Sequence, residues 1–373
     1  MDQTINQSVG IDISKATFTA CVCKRDQTGE EDLSEVVQFK NLTTGFNQFV
    51  KWSRKITDPS VEVNFVMEAT GVYYENLAHH LHKLKQPVSV LLPNKVKHFG
   101  KSLNVKTKTD QVDARIIARL GAERRLSPWY PPPEVFKQLR DLTRGYTELM
   151  KERTVFKNRL DAMSSGYKPL AVIMKSHKAI IKKLEEQLDK IKGEIERLIY
   201  SEEWLASKVD KVLTIKGVGL MTVATILAET QGFELVQNIR QLCSYAGYDV
   251  VQRESGTSVM GKTRISKKGN SWIRGALHFP ALVASRHNPV LKKTYLRINK
   301  SKASKMVGVT AIQRKILILI YTLWKKDEIF DENYKNQSTK MLAENGGNKA
   351  GRGISSLPAQ DELQPDRPKL SLV

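Results

Sequence analysis

The chain has 373 residues, with 60 Lys and Arg against 39 Asp and Glu, for a formal net charge of +21 at pH 7. That length exceeds what one hydrophobic core usually serves, so two or three domains are expected, and so strong a positive field favours polyanionic partners, nucleic acid first, over small neutral substrates. The start is polar, the late apolar run over 316–323 is too short to span a bilayer, and Cys21, Cys23 and Cys243 form no metal-ligand quartet, so a soluble, cytoplasmic protein with reduced thiols is expected.

Residues 1–125 alternate strand-like and helix-like patterns. Strands are predicted over 9–13, 18–22, 36–39, 61–67 and 88–91, and helices over 46–54, 73–84 and 111–120. Strands first, then strand and helix in turn, predict an α/β layer on a mixed sheet. The proline run 131–133 breaks the chain. A charged helical region follows over 126–208, in which Met174, Ile181, Leu184, Leu188, Ile191, Ile195 and Leu198 keep the three-and-four spacing of a heptad seam. A coiled coil, a helical hairpin and an ordinary amphipathic helix all satisfy that pattern. A second, mainly helical domain is predicted over 209–335, and 336–373 has the Gly, Asn, Ser and Pro content of a disordered tail.

Four carboxylates stand out in the first region. Asp12 sits in the first strand, facing opposite to Ile11 and Ile13. Glu68 closes a later strand just before Gly71, which lets the chain turn into a helix expected near Val72. Asp110 and Asp113, three apart at a helix start, project from one face. Taken singly, Asp110 reads equally as a helix N-cap and Glu68 as a solvated strand end. Together, four converging carboxylates repel one another unless cations sit between them, and hard oxygen ligands select Mg2+ or Mn2+. A pair of such ions clamps both oxygens of a phosphodiester displacement. Lys106 and Lys108, just ahead of the two aspartates, are candidate nucleic-acid contacts.

In the second domain, 212–219 followed by a helical pattern reads as a helix-hairpin-helix, with Gly217 and Gly219 opening backbone amides to phosphate and Lys216 adding charge. A plain glycine turn has the same pattern. The stretch 247–274 crowds hydroxyls, glycines and cations, among them Arg264, Lys267, Lys268 and Arg274, into a phosphate-binding surface with a candidate serine nucleophile. The residues alone do not choose among Ser255, Ser258, Ser266 and Ser271. No histidine lies within the stretch to serve as base; His278 falls on the following helix.

Gly10-Ile11-Asp12, Glu68-Ala69-Thr70-Gly71-Val72-Tyr73, Lys108-Thr109-Asp110-Gln111-Val112-Asp113-Ala114, Ser255-Gly256-Thr257-Ser258 and Ile265-Ser266-Lys267-Lys268-Gly269-Asn270 stand in this order. In these motifs the chain resembles the IS110 family of insertion-sequence transposases, which is related to the pilin-gene invertases. The resemblance implies an RNase H-like (RuvC-like) first domain with Asp12, Glu68, Asp110 and Asp113 as its metal-binding tetrad. It places the nucleophile at Ser255, and implies a coiled coil joining the domains and a composite site shared between subunits. It further implies donor and target DNA as substrates, a structured bridge RNA as guide, and a homodimer assembling to a tetramer. A junction-resolving nuclease that uses the tetrad and water, and a non-catalytic nucleic-acid scaffold, are the rival expectations.

Overall fold

A computed structural model describes residues 4–331 except 70, 108, 253, 256–258, 262 and 303, and gives the backbone alone at 254, 255, 259 and 260. The chain divides between Glu134 and Val135 into two compact units. The border falls directly after the proline run, nine residues beyond the change of pattern near 125.

In the first unit, β1 (Thr4–Ile13) and β2 (Thr17–Asp26) form an antiparallel hairpin in which Gly10 faces Cys21 and Asp12 faces Thr19. β3 (Glu31–Leu33) and β4 (Val37–Lys40) pair with opposite ends of β2. After α1 (Thr43–Ile56), β5 (Val63–Glu68) joins the other side of β1 in parallel, with Gly10 beside Val66 and Ile11 beside Met67. Then α2 (Glu75–Lys83) leads to β6 (Val88–Leu91), parallel to β5. The sheet order is β3-β2-β1-β5-β6. Next come α3 (Pro93–Ser102) and α4 (Asp110–Glu123).

Both faces of this mixed sheet are covered, as parallel pairs joined by helices require. On one face Val9, Ile11, Ile13, Phe18, Phe65 and Met67 pack beneath α1 and α2. On the other, α4 lies against the sheet through Ala114, Ala118 and Ala122, opposite Cys21 and Cys23. Its spacing of four puts these small side chains in one line, and the strand meets them with Gly10. A Cβ at Gly10 would overlap the Ala118 nitrogen and the Ala114 carbonyl oxygen. Polar ties fix the helix along the strand: Ser8 Oγ donates to the Ala118 carbonyl and Asn6 Nδ2 to the Ala122 carbonyl, both at 2.6 Å.

The strands and helices expected in this unit are present, with longer β1 and β2. β3 and α3 are additional to the expected elements, and the helix expected near Val72 begins at Glu75 because 71–74 form a turn.

The second unit opens with two long helices, α5 (Glu134–Ser164) and α6 (Ala171–Tyr200), linked across by Lys157 Nζ to Glu185 Oε1 at 2.7 Å. Ile181, Leu188 and Ile195 of the expected seam are buried within this one chain; Met174, Leu184, Ile191 and Leu198 are half-buried. The hairpin geometry is therefore present, and part of the seam is already occupied. Next are α7 (Glu203–Leu213), α8 (Leu220–Thr230) and α9 (Ile239–Tyr245). The stretch expected to be one basic loop contains four two-residue strands. β7 (Val250–Val251) pairs with β10 (Arg264–Ile265), and β8 (Glu254–Ser255) with β9 (Val259–Met260). The described chain closes with α10 (Ser271–Ala276), α11 (His278–His287), α12 (Pro289–Asn299) and α13 (Lys305–Lys326). The apolar run near 316–323 thus belongs to a 22-residue helix, long and apolar enough by length and composition to cross a membrane. Here Ile312, Ile316, Leu317, Ile320 and Trp324 are buried in the core of this unit. The expected tail, 336–373, lies outside the described residues.

Candidate active site

Asp12 belongs to the β1 residues whose side chains face α4, the same set as Gly10. One step further along the β1–β5 register sets Asp12 beside Glu68, which lies on the same face as Val66, a residue packed under α3 and α4. The close seating of α4 brings its first turn, with Asp110 and Asp113, over this edge. All four acids line one cavity of about 550 Å3. Asp12, Glu68 and Asp113 are half-buried and Asp110 is exposed.

The start of α4 is held firmly. Thr109 is its N-cap, its hydroxyl accepting from the Val112 amide at 3.3 Å, so Asp110 is the first helical residue and not the cap. Thr19, opposite Asp12 on β2, donates its hydroxyl to the Asp110 carbonyl at 3.1 Å. Lys97 and Lys101 of α3 and Lys106 line the same cavity, so its lining holds cations as well as carboxylates. Among the described residues no three His, Cys, Asp or Glu side chains are grouped so as to hold an ion. The four acids share a cavity without closing into a cage, yet their donor set is all carboxylate oxygen, the chemistry that suits a hard divalent cation. Lys108 is outside the described residues.

The candidate nucleophile is in the second unit. Ser255 is the last residue of β8, opposite Val259, and Ser258 falls in the undescribed connection. Ser266 is committed to its own loop: its Oγ donates to Asp249 Oδ1 at 2.6 Å and accepts from the Lys268 amide at 3.2 Å. Arg264, Lys267 and Lys268 are exposed, and Lys267 takes a left-handed φ of 53°.

Arg274 has a structural use that its place among cations concealed. Its Nη1 donates to the carbonyls of Ala246, Gly269 and Asn270 at 2.8, 3.1 and 3.2 Å. Gly247, with φ of 74°, makes room for it, since a Cβ there would stand 2.7 Å from Nη1. Gly217 likewise has a packing reason: its φ is 97°, and a Cβ would press at 3.0 Å on the Ala284 nitrogen. Gly219 is the N-cap of α8, and Lys216 is exposed. Two helices flank this turn, but its glycines serve the fold whether or not it touches DNA.

Sequence reasoning missed Glu229 and Arg144. Glu229 is 3% exposed on α8 and receives Arg144 Nε and Nη2 at 2.6 and 2.9 Å and Asn270 Nδ2 at 2.6 Å. Asn270 Oδ1 in turn caps α10, accepting from the Trp272 and Ile273 amides. The available signal was a lone acid in the apolar run 220–230.

Two family models cover most of the chain in the order of these sites. A transposase model of the IS110 type, named for a DEDD set, matches residues 9–169, and one described as transposase, IS116/IS110/IS902 family, matches 209–296. The chain belongs to the IS110 family of transposases. The pilin gene-inverting protein of Moraxella bovis is 28% identical over 326 residues, covering 87% of this chain and 97% of that protein. The transposase for insertion sequence element IS1111A of Coxiella burnetii is 25% identical over 357 residues, covering 86% and 90%. Among solved structures, T. thermophilus RuvC in complex with a Holliday junction substrate is similar over 33% of this chain and 99% of its own, at 11% identity and a TM-score of 0.26. That overlap is too loose to assign a fold.

Proposed function

We propose that this transposase cuts and rejoins DNA through a covalent phosphoserine at Ser255, with the scissile phosphate held at the cavity of Asp12, Glu68, Asp110 and Asp113. The observation that carries the reading is the meeting of four acids from three distant segments in one cavity of an IS110-family chain. These four carboxylates would hold Mg2+ or Mn2+, which when bound offsets the charge that builds on the attacked phosphate. Lys97, Lys101 and Lys106 add positive charge for the remaining phosphate oxygens.

Ser255 Oγ forms its bond to phosphorus as one sugar oxygen leaves, and the serine proton is balanced by the proton gained on that oxygen. The ester energy is conserved, so the hydroxyl of another strand can later displace serine and reseal the backbone without an external energy source. Exposed Arg264, Lys267 and Lys268 are positioned to grip phosphates; Arg274 holds the loop in shape. Lys216 and the glycine turn are a further backbone contact. By family resemblance a bridge RNA pairs with donor and target DNA, the rest of the seam packs between copies in a dimer that assembles to a tetramer, and the first unit is RNase H-like.

The test is incubation with labelled element-end DNA, denaturation, and peptide mass spectrometry of the adduct. Wild type is expected to carry DNA on Ser255, and Ser255→Ala to lose both adduct and strand exchange. Cleavage without any adduct would favour a water nucleophile and the junction-nuclease reading. A discrete RNA from the element's flanks should copurify; heterogeneous RNA alone would count against guidance.

A further inference from the structure

A second cavity of about 390 Å3 adjoins the acid-lined one and shares Val105, Lys106, Thr107 and Ile116 with it. Where the first mixes four acids with three lysines, the described lining of the second has Lys106, Arg115 and Arg119 and no acid. Arg115 and Arg119 are one turn apart on α4 and so lie on one side of it. Arg119 is steadied by Glu31 of β3, Nε to Oε2 at 3.1 Å, while Arg115 is exposed. The same helix therefore carries acids in its first turn and, five residues on, the first of two arginines.

We infer that this annex binds the phosphodiester backbone of the DNA strand being cut, with Lys106, Arg115 and Arg119 as its phosphate contacts. Five residues of helix rise about 7.5 Å, and phosphates along one strand of a duplex are spaced about 3.4 Å along the axis. Asp110 and Arg115 also point about 140° apart around the helix, so a strand whose scissile phosphate lies at the acids crosses the shared lining of Val105, Lys106 and Thr107 and reaches Arg115 two or more phosphates away. The change of sign along α4 gives the strand a direction: the acid end takes the phosphate that reacts and the arginine end one that does not. Guanidinium groups bind such oxygens in a fork, which fixes register as well as charge. The inference rests on the proposed role of the acid cavity and adds to it where the neighbouring backbone runs.

The experiment is phosphate-neutralisation interference with the full-length protein, its copurifying RNA and element-end DNA carrying a single methylphosphonate at successive positions. In wild type, neutralising one phosphate two or more positions to one side of the cut should slow cleavage about tenfold, as loss of a charged hydrogen bond does. In Arg115→Gln the same neutralisation should cost little more, because its partner is already gone, and Arg115→Lys should restore part of the sensitivity. Lys106→Gln provides a second variant in the same lining and should lose sensitivity at the same or the adjacent phosphate. Independent, multiplying losses for all variants would overturn the annex, as would coupling seen only with a neutralised RNA strand. Failure of the acid cavity itself would look different: cleavage would survive Asp113→Asn and neutralisation of the scissile phosphate, and the annex would fall with it.

Discussion

Arg144 on α5 grips both carboxylate oxygens of Glu229 on α8, at 2.6 and 2.9 Å, and thereby ties the long helical hairpin to the most enclosed helix of the second unit. The bond is two-pronged and the acid is buried, so its partner is hard to replace. The hydrogen bond to Glu229 also raises the Arg144 pKa above its ordinary value. The Arg144 side chain is 38% exposed and Asn270 still donates to Glu229, so Arg144→Ala should cost about 1–3 kcal/mol, short of the loss for a fully buried pair. Arg144→Lys should recover only part of it, because an ammonium cannot reproduce the fork. Urea unfolding of the three proteins measures this directly; a loss below about 1 kcal/mol, the scale of an exposed pair, would mean that Asn270 and water suffice for Glu229.

Gly10→Ala should disturb the acid-lined cavity from beneath. The added methyl overlaps the backbone of α4 at Ala114 and Ala118, so the helix must lift from β1, and Asp110 and Asp113 move with it. Overpacking of this sort usually costs about 1–3 kcal/mol, and contact with backbone favours the upper part of that range. The expected result is a lower unfolding midpoint together with lost divalent-dependent cleavage. A variant with normal cleavage would show that the acids do not depend on this seating.

Ser266→Ala separates loop structure from nucleophile. Its hydroxyl joins Asp249 to the Lys268 amide, so removing it leaves a half-buried carboxylate short of a donor, at about 1–3 kcal/mol. The variant should be less stable yet still form a DNA adduct on Ser255. Disappearance of the adduct in a fully folded Ser266→Ala protein would move the nucleophile to 266.

Burial pushes the Cys23 thiol up to about 12, with nearby Glu31 and Cys21 adding to the shift. Above the ordinary thiol value of 9.0 the unfolded chain releases this proton while the folded chain keeps it. Its contribution to stability is thus complete below pH 9 and is lost as the pH climbs toward 12. Unfolding midpoints taken from pH 7 to 11 should fall less steeply for Cys23→Ala than for wild type. Parallel slopes would mean that water reaches this thiol in the native state.

The acids were legible in the sequence because each carries a local signature: a carboxylate inside an apolar strand, one before a glycine turn, and two at a helix start. What joins them was less so. Helix α3 escaped because only Val96 and Phe99 are buried apolar side chains among its ten residues, too few to establish a period, yet it supplies Lys97 and Lys101 to the cavity. Arg274 was legible as a cation beside glycines, but its use within the loop was not. Its Nη1 donates to carbonyls as far away as Ala246, a convergence only the folded chain creates. The heptad seam was visible, but spacing alone does not say whether Leu188 meets its own chain, as it does here, or another copy.

The acids of α4 stand at the positive end of a helix whose other turns belong to the core. The helix macrodipole favours negative charge there by about 0.3–1 kcal/mol for an exposed group, which offsets part of the repulsion between Asp110 and Asp113. Apolar packing along Ile117, Ala118 and Leu120 holds the helix in place whatever lies in the cavity. A chelator should therefore silence this protein without unfolding it, and returning the cation should revive it at the speed of binding rather than of refolding. The charge at the mouth of the cavity can thus be neutralised or exposed without redrawing the fold beneath it.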